Sequence, residues 1–247
     1  MIYVTGDCHG DYRRFDSRTF REQREMDRQD FVIVCGDFGY WDRSREQEYW
    51  LNWLAQKNFT LLFVDGNHEN YDLLAELPVE LWHGGKVQRI RENVIHLKRG
   101  QVFTLQGRRF FTFGGARSHD VTDGILEADD PDLRRKVKRL EKVGALYRIN
   151  HLSWWKEEMP SEAEYEEGRT SLNACGWECD YILSHSAPSS VQALMSCGGF
   201  APDPLTDYLE EIKNRCGYRK WFFGHYHEDE CVDDRHQVLY HRLERIL

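Results

Sequence analysis

No stretch of this 247-residue chain runs apolar for the ~20 residues needed to cross a bilayer. Strand-like residues begin at Ile2 and charges follow soon after, so no signal peptide is expected. Internal repeats, low-complexity tracts and obvious linkers are also missing, so a single domain over residues 1–247 is expected. Positive charge is scarce: 33 Lys and Arg stand against 42 Asp and Glu, a net charge of -9. That balance argues against non-specific nucleic-acid binding, which needs basic residues to neutralise phosphates. It leaves room for a phosphorylated substrate, a nucleotide included, wherever bound metal ions supply positive charge locally. The seven cysteines are odd in number and scattered, unlike a secreted disulfide framework. Cys175 and Cys179 have the spacing of half a structural zinc site, but no second Cys/His cluster pairs with them. The expectation is a soluble, cytoplasmic protein without membrane contact.

What is present is a series of short runs rich in β-branched and aromatic residues: IYVT (2–5), FVIVC (31–35), LLFV (61–64), YILS (181–184) and WFF (221–223). Unbroken apolar runs of this length suit strands buried on both faces. Between the early ones, Tyr49, Trp50, Trp53 and Leu54 recur at helical steps within 44–57. Alternating strand and helix indicates an α/β fold. After Tyr71 the runs VIHL (94–97), VFTL (102–105) and RRFFTF (108–113) follow closely and predict an antiparallel meander in a second sheet. Ser161 and Glu164 have capping-box spacing for a helix over 162–174, and Asp203-Pro204 opens another that Gly217 stops. The basic helix in DLRRKVKRLEKV (132–143) reads as a solvated surface or as a rim that attracts anions.

Each strand-like run ends in a polar cluster: GDCHG, GDFG, DGNHEN, HSAP and GHYH. Ligands gather beyond the carboxyl ends of parallel strands. Five such ends deliver metal-ligand residue types: Asp7 and His9, Asp37, Asn67 and His68, His185, then His225 and His227. On extended backbone, residues two apart project to the same side, so Asp7 with His9, and His225 with His227, are expected to converge while Cys8 points away. Carboxylate, imidazole and amide donors without thiolate suit Mn, Fe or Zn. Seven donors are too many for one ion with open positions and suit two ions sharing a carboxylate. A thiol nucleophile at Cys8 paired with His9 is the rival reading of the first cluster, disfavoured because neighbours on a strand diverge.

GDCHG, GDFG, GNHE, SH and GHYH, in that order from Asp7 to His227, resemble the calcineurin-like metallophosphoesterase superfamily. FGGARSHD (113–120) and SWWKEEMPS (153–161) are similar to stretches of its bacterial and phage members. The resemblance implies a four-layer α/β/β/α sandwich of two mixed sheets flanked by helices, with a helical insertion around 116–178. It implies that Asp7, His9 and His227 hold one ion and that Asn67, His185 and His225 hold a second. Asp37 would bridge both, and His68 would protonate the leaving group. One departure stands out. Many members carry G-D-x-x-D-R, whereas GDFGYWDR places four residues between Asp37 and Asp42, so the roles of that motif are not carried to Asp42 and Arg43.

The expected activity is metal-dependent hydrolysis of phosphate esters, as a phosphatase or phosphodiesterase, by a hydroxide held between two transition-metal ions, Mn foremost with Fe or Zn as alternatives. Arg117, His119 and Arg148 from the insertion are candidate phosphate contacts, with surface or turn roles as their plainer reading. Trp154-Trp155 would wall a pocket, stack on a base, or simply pack. The rival from another class is a non-catalytic scaffold that keeps the fold and binds protein partners; every ligand position being filled argues against it.

Overall fold

The structure is a computed structural model and describes residues 1–247. The first three apolar runs form parallel strands β1 (Ile2–Thr5), β2 (Phe31–Cys35) and β3 (Thr60–Val64), every residue of them buried. Between β2 and β3, helix α1 (Arg45–Ala55) starts at Ser44, whose hydroxyl accepts the Gln47 N–H at 3.1 Å. Leu51 and Leu54 face the sheet, whereas Tyr49 of the expected stripe stays exposed. After α2 (Tyr71–Ala75), strands β4 (Val79–Trp82), β5 (Gly85–Arg91) and β6 (Val94–Leu97) turn back on one another antiparallel, and β6 docks parallel to β3.

The run VIHL is therefore not part of the second sheet's meander; it is β6 of the first sheet. Its four residues are buried without alternation, the pattern of a strand covered on both faces. The second sheet begins with the hairpin β7 (Gln101–Leu105) and β8 (Arg108–Phe113). A long excursion then carries the short parallel pair β9 (Ile125–Leu126) and β10 (Arg148–Ile149), with α3 (Leu133–Glu141) between them. No residue of α3 is buried, so the basic helix is a solvated surface element. Helix α4 (Glu162–Ala174) carries the expected capping box: Ser161 Oγ accepts the Glu164 N–H, and the Glu164 carboxylate accepts the Ser161 N–H.

Strand β11 (Tyr181–Ser184), helices α5 (Ser189–Met195) and α6 (Pro204–Arg215), and strand β12 (Lys220–Phe223) follow, with α6 capped at Asp203. Strands β13 (Glu230–Cys231) and β14 (His236–Val238) complete the second sheet, and β15 (Glu244–Arg245) returns to the edge of the first. The sheet orders are β15-β1-β2-β3-β6-β5-β4 and β13-β14-β12-β11-β8-β7.

The core falls into three apolar clusters, one for each interface of a four-layer sandwich. Alternate residues of β2 divide between two of them. Val32 and Val34 meet Tyr12, Phe15, Leu51 and Leu54 on the outer side. Phe31, Ile33 and Cys35 meet Phe103, Phe110, Leu183 and Phe222 between the sheets. On the far side Trp221 and Phe223 pack with Tyr165, Leu172, Tyr208 and Leu209 of α4 and α6. α4 thus belongs to the outer helical layer of the sandwich.

Candidate metal centre

Parallel strands of both sheets end at one edge, and the polar clusters follow them there. Asp7, Asp37 and Asn67 come after β1, β2 and β3; His185 comes after β11, and His225 and His227 after β12. The backbone that aims them is not the extended form expected. His9, Asp37, His225 and His227 have φ of 48°, 47°, 70° and 54°, the left-handed region that L-residues take at a cost. The pairs Asp7/His9 and Asp7/His227 meet because the chain turns sharply past the strand ends. Cys8 goes the other way, as expected, into the core beside Tyr12 and Phe38, where burial pushes its thiol up to about 12.

Two groups of donor atoms form: Asp7, His9 and His227, and Asp7, Asp37 and His185. Asp7 Oδ2 lies 3.2 Å from His227 Nε2 and 3.6 Å from His9 Nε2. Asp37 Oδ2 stands between His185 Nε2 at 3.4 Å and His9 Nε2 at 3.7 Å, the place a bridging carboxylate needs. Asn67 Oδ1 is 3.2 Å from His185 Nε2. His225 joins neither group; its ring lies 5.0 Å from that of His185, and its Nε2 meets His119 Nε2 at 2.9 Å. His68 flanks the cluster, its ring 5.3 Å from that of His9 and its backbone N–H donating to Asp37 Oδ1 at 2.8 Å.

The electrostatics are those of a buried anionic edge. Burial works against the Asp37 charge, but His185 beside it brings the carboxyl down to about 2. Burial likewise opposes a charged His185, and Asp37 with Asp7 raise it to about 10. His225 is pulled down to about 3 by burial, with the neighbouring His185 adding to the effect.

Cations fit this donor set. Asp7 Oδ2 is fully buried yet has no hydrogen-bond donor, which a carboxylate in an apolar interior does not tolerate without a positive partner. The His185 ring meets Cys35 O through Nδ1 at 2.8 Å, so Nε2 is the nitrogen turned toward the centre. A Cβ on Gly66 would overlap Asp37 Oδ1, and one on Gly224 would overlap Asp7 Oδ1, so only glycine lets backbone approach these carboxylates. The donors grade from enclosed to open: Asp7 and His185 are sealed, whereas the His227 side chain is 50% exposed.

Several supporting residues were not singled out by the sequence. Glu69, fully buried, accepts the N–H groups of Phe38, Gly39 and Tyr40 and so shapes the loop after Asp37. Its place in GNHE was the available signal. Arg14 ties down the carbonyls of Gly6 (3.1 Å), Asp7 and Tyr240. Ser118 accepts from Asn67 Nδ2 at 3.3 Å and is itself held by Glu158. Asp42 and Arg43 lie outside: Asp42 accepts the Ser44 N–H at 2.9 Å, and Arg43 pairs with Glu76 on the surface.

Of the three candidate phosphate contacts, Arg117 and His119 line a cavity of about 360 Å³ that opens beside His225 and is floored by Phe200 and Tyr226. Arg148 is instead paired with Asp120, Nε to Oδ2 at 2.8 Å. That pair acts on His68. Burial holds the imidazole below its ordinary value; Asp37 and Asp120 favour its charged form and Arg148 opposes it. Trp155 packs, donating Nε1–H to Asp72 at 2.7 Å, and forms no wall of the cavity.

The family model for calcineurin-like phosphoesterases matches residues 1–229. The chain belongs to the calcineurin-like phosphoesterase family. Among curated proteins it is similar to lariat debranching enzyme A of Xenopus laevis, 26% identical over 207 residues, covering 77% of this chain and 33% of that protein. It is also similar to the human lariat debranching enzyme, 22% identical over 266 residues, covering 96% of this chain and 44% of that protein. The chain thus spans less than half the length of either relative. Among solved structures, the phosphopantetheinyl hydrolase of Mycobacterium tuberculosis overlaps all of this chain and 95% of its own, with a TM-score of 0.45 and 14% identity. As a calcineurin-like phosphoesterase the chain shows the two mixed sheets that its motifs implied.

Proposed function

We propose that this chain hydrolyses phosphate esters at a two-ion centre. Asp7, His9 and His227 would hold one ion, Asn67, His185 and His225 the other, with Asp37 shared between them. The observation that carries the reading is the buried Asp7 carboxylate, with an oxygen that no donor satisfies and two imidazole nitrogens within 3.6 Å of it. When bound, two divalent transition-metal ions supply a nucleophilic water near neutral pH and neutralise charge on the phosphoryl oxygens. Mn is the first choice, with Fe or Zn as alternatives for an imidazole, carboxylate and amide donor set.

The chain's own residues do the rest. Asp37 fixes the loop that presents His68 by accepting its backbone N–H, so the imidazole keeps a constant place beside the open edge. From there His68 delivers a proton to the departing alkoxide, a general-acid contribution typically worth about 10²–10⁴-fold. His225 turns Nε2 to His119, so the rim of the cavity adjoins the proposed centre, where a bound phosphate ester would extend. Arg117 is exposed at that rim and free to meet phosphate oxygens. Arg148 contributes through its pair with Asp120, near His68.

The experiment is a substrate screen of the Mn-loaded protein. The panel holds phosphomonoesters, cyclic nucleotides, dinucleoside polyphosphates, bis-nitrophenyl phosphate and a lariat substrate of the kind named in the relatives. Turnover that needs Mn and is abolished by Asp37→Asn supports the reading. Protein that binds no transition metal and turns over nothing in the panel would sink it and revive a partner-binding scaffold.

A further inference from the structure

We propose that Ser118 and Glu158 form a positioning pair, contributed by the excursion between the two halves of the sandwich, that sets the Asn67 amide for the second ion. This rests on the reading of Asn67 as a donor to that ion. An amide side chain has two unlike ends, an accepting oxygen and a donating NH2, and only the oxygen suits a cation. A free asparagine at the site would present either end.

Here the choice is made by a chain of three hydrogen bonds that runs in one direction. Asn67 is 5% exposed, with Oδ1 toward His185 and the centre and Nδ2 donating to Ser118 Oγ at 3.3 Å. Ser118 has one hydroxyl proton, and it goes to Glu158 Oε2 at 2.5 Å. The Ser118 backbone N–H donates to the other carboxylate oxygen, Oε1, at 2.9 Å. Ser118 is thereby clamped at two points, its proton is committed, and its lone pairs are left for Asn67. A carboxylate accepts only, so the series cannot run in reverse while Glu158 is ionised. Flipping the amide would turn an NH2 toward the place of the ion and set an oxygen against a hydroxyl whose proton is already given to Glu158.

Ser118 and Glu158 are themselves 5% and 2% exposed, so water does not replace either partner. The next residue, His119, contacts His225, another member of the proposed second-ion set. Adjacent residues of one loop therefore touch two of the three second-ion donors, and neither hydrogen-bonds to a donor of the first.

The pair acts on ion occupancy more than on folding, and the test reads occupancy directly. Titrating metal-free protein with Mn²⁺, followed by calorimetry and by the spin-coupled resonance signal of an ion pair, gives the affinity of each site. Outer hydrogen-bond partners of metal ligands typically change affinity by about 10–100-fold. Ser118→Ala is expected to weaken the second site by that factor and leave the first unchanged, with Ser118→Thr restoring it. Glu158→Gln is expected to weaken it to a lesser degree, because its amide oxygen still accepts while its NH2 competes as a donor. Melting of the metal-free variants is measured in parallel. If Ser118→Ala binds both ions as the parent does, the proposal fails, whether or not its metal-free melting temperature falls. If Asn67→Ala also leaves two ions bound, the assignment of Asn67 itself is wrong. If only Asn67→Ala loses the second ion, Asn67 stands and the pair is excluded.

Discussion

His9, Asp37, His225 and His227 all hold left-handed backbone, and each sits in the edge cluster. Strain kept at four neighbouring positions persists only where the surroundings over-determine it, and Glu69, Arg14 and the close-packed glycines do so here. At this scale the sharpest expectation concerns His68. His68→Ala should cut turnover of an alkyl phosphate by about 10²–10⁴-fold and that of a nitrophenyl ester far less, since a good leaving group needs no proton. Equal losses on both would remove the acid role. Asp42→Ala, by contrast, should leave turnover within about 2-fold, because Asp42 only caps the turn at Ser44. The strand-end cluster of candidate donors was legible from sequence because its members follow closely on apolar runs. Ser118 and Glu158 were not, since 51 residues separate Asn67 from Ser118 and 40 separate Ser118 from Glu158, with no local pattern to join them.

Secondary elements were legible where burial is one-sided or a cap is explicit. Asp203 and Ser161 opened the helices expected of them. Ser161→Ala should cost about 1 kcal/mol, read as a fall in melting temperature of about 2–4 °C for a chain of this size, with turnover unaffected. A larger fall would mean that the hydroxyl does more than cap α4. VIHL was harder to place, because a strand buried on both faces fits the middle of either sheet. What fixes it is polar: His96 Nε2 donates to Asp65 Oδ1 at 3.1 Å and its Nδ1 meets the Gln88 amide at 2.9 Å, bonds that hold β6 beside β3 and β5. Asp65 also takes the buried Arg99 at 2.7 Å from Nε, and Arg99 reaches the Glu157 carbonyl at 2.9 Å, tying the excursion to the first sheet.

This network sets an acid limit. Burial opposes a charged His96 and lowers it. Burial also opposes a charged Asp65, but Arg99 and His96 overcome it and hold that carboxyl well below its usual range. Both groups bind protons more readily unfolded, so their stabilisation is complete at neutral pH. It is lost in two stages on acidification, below about pH 6.5 and then below about pH 4. Urea melts of the metal-free protein from pH 8 to 3 would show it, and His96→Gln should shrink the first stage, the remainder belonging to His68 and His225, which burial also lowers. Stability that rises between pH 6.5 and 4 would contradict this account.

For the molecule as a whole, the centre lies on the seam between sheets: Asp7, His9, Asp37 and Asn67 come from the first, His185, His225 and His227 from the second. An ion that requires both sheets binds the folded chain alone. Mn²⁺ at 100 times its dissociation constant should therefore stabilise the fold by about 2.7 kcal/mol. The melting temperature should climb with Mn²⁺ concentration and fall back on chelation, and a flat response would place the ions outside the seam.

The same division has a consequence in time. Synthesis at typical rates needs roughly 10–30 s to pass from His68 to His227. For most of that interval the emerging chain carries Asp7 and Asp37 with His9 but without His185 or His227, and an apolar sheet face that only the β7–β8 hairpin can cover. The cluster around Ile33, Leu62 and Val64 is complete only when Leu183 and Phe222 join Phe103 and Phe110. The nascent first half is the stage at which this protein is most exposed to aggregation, and the stage at which a chaperone has most to hold.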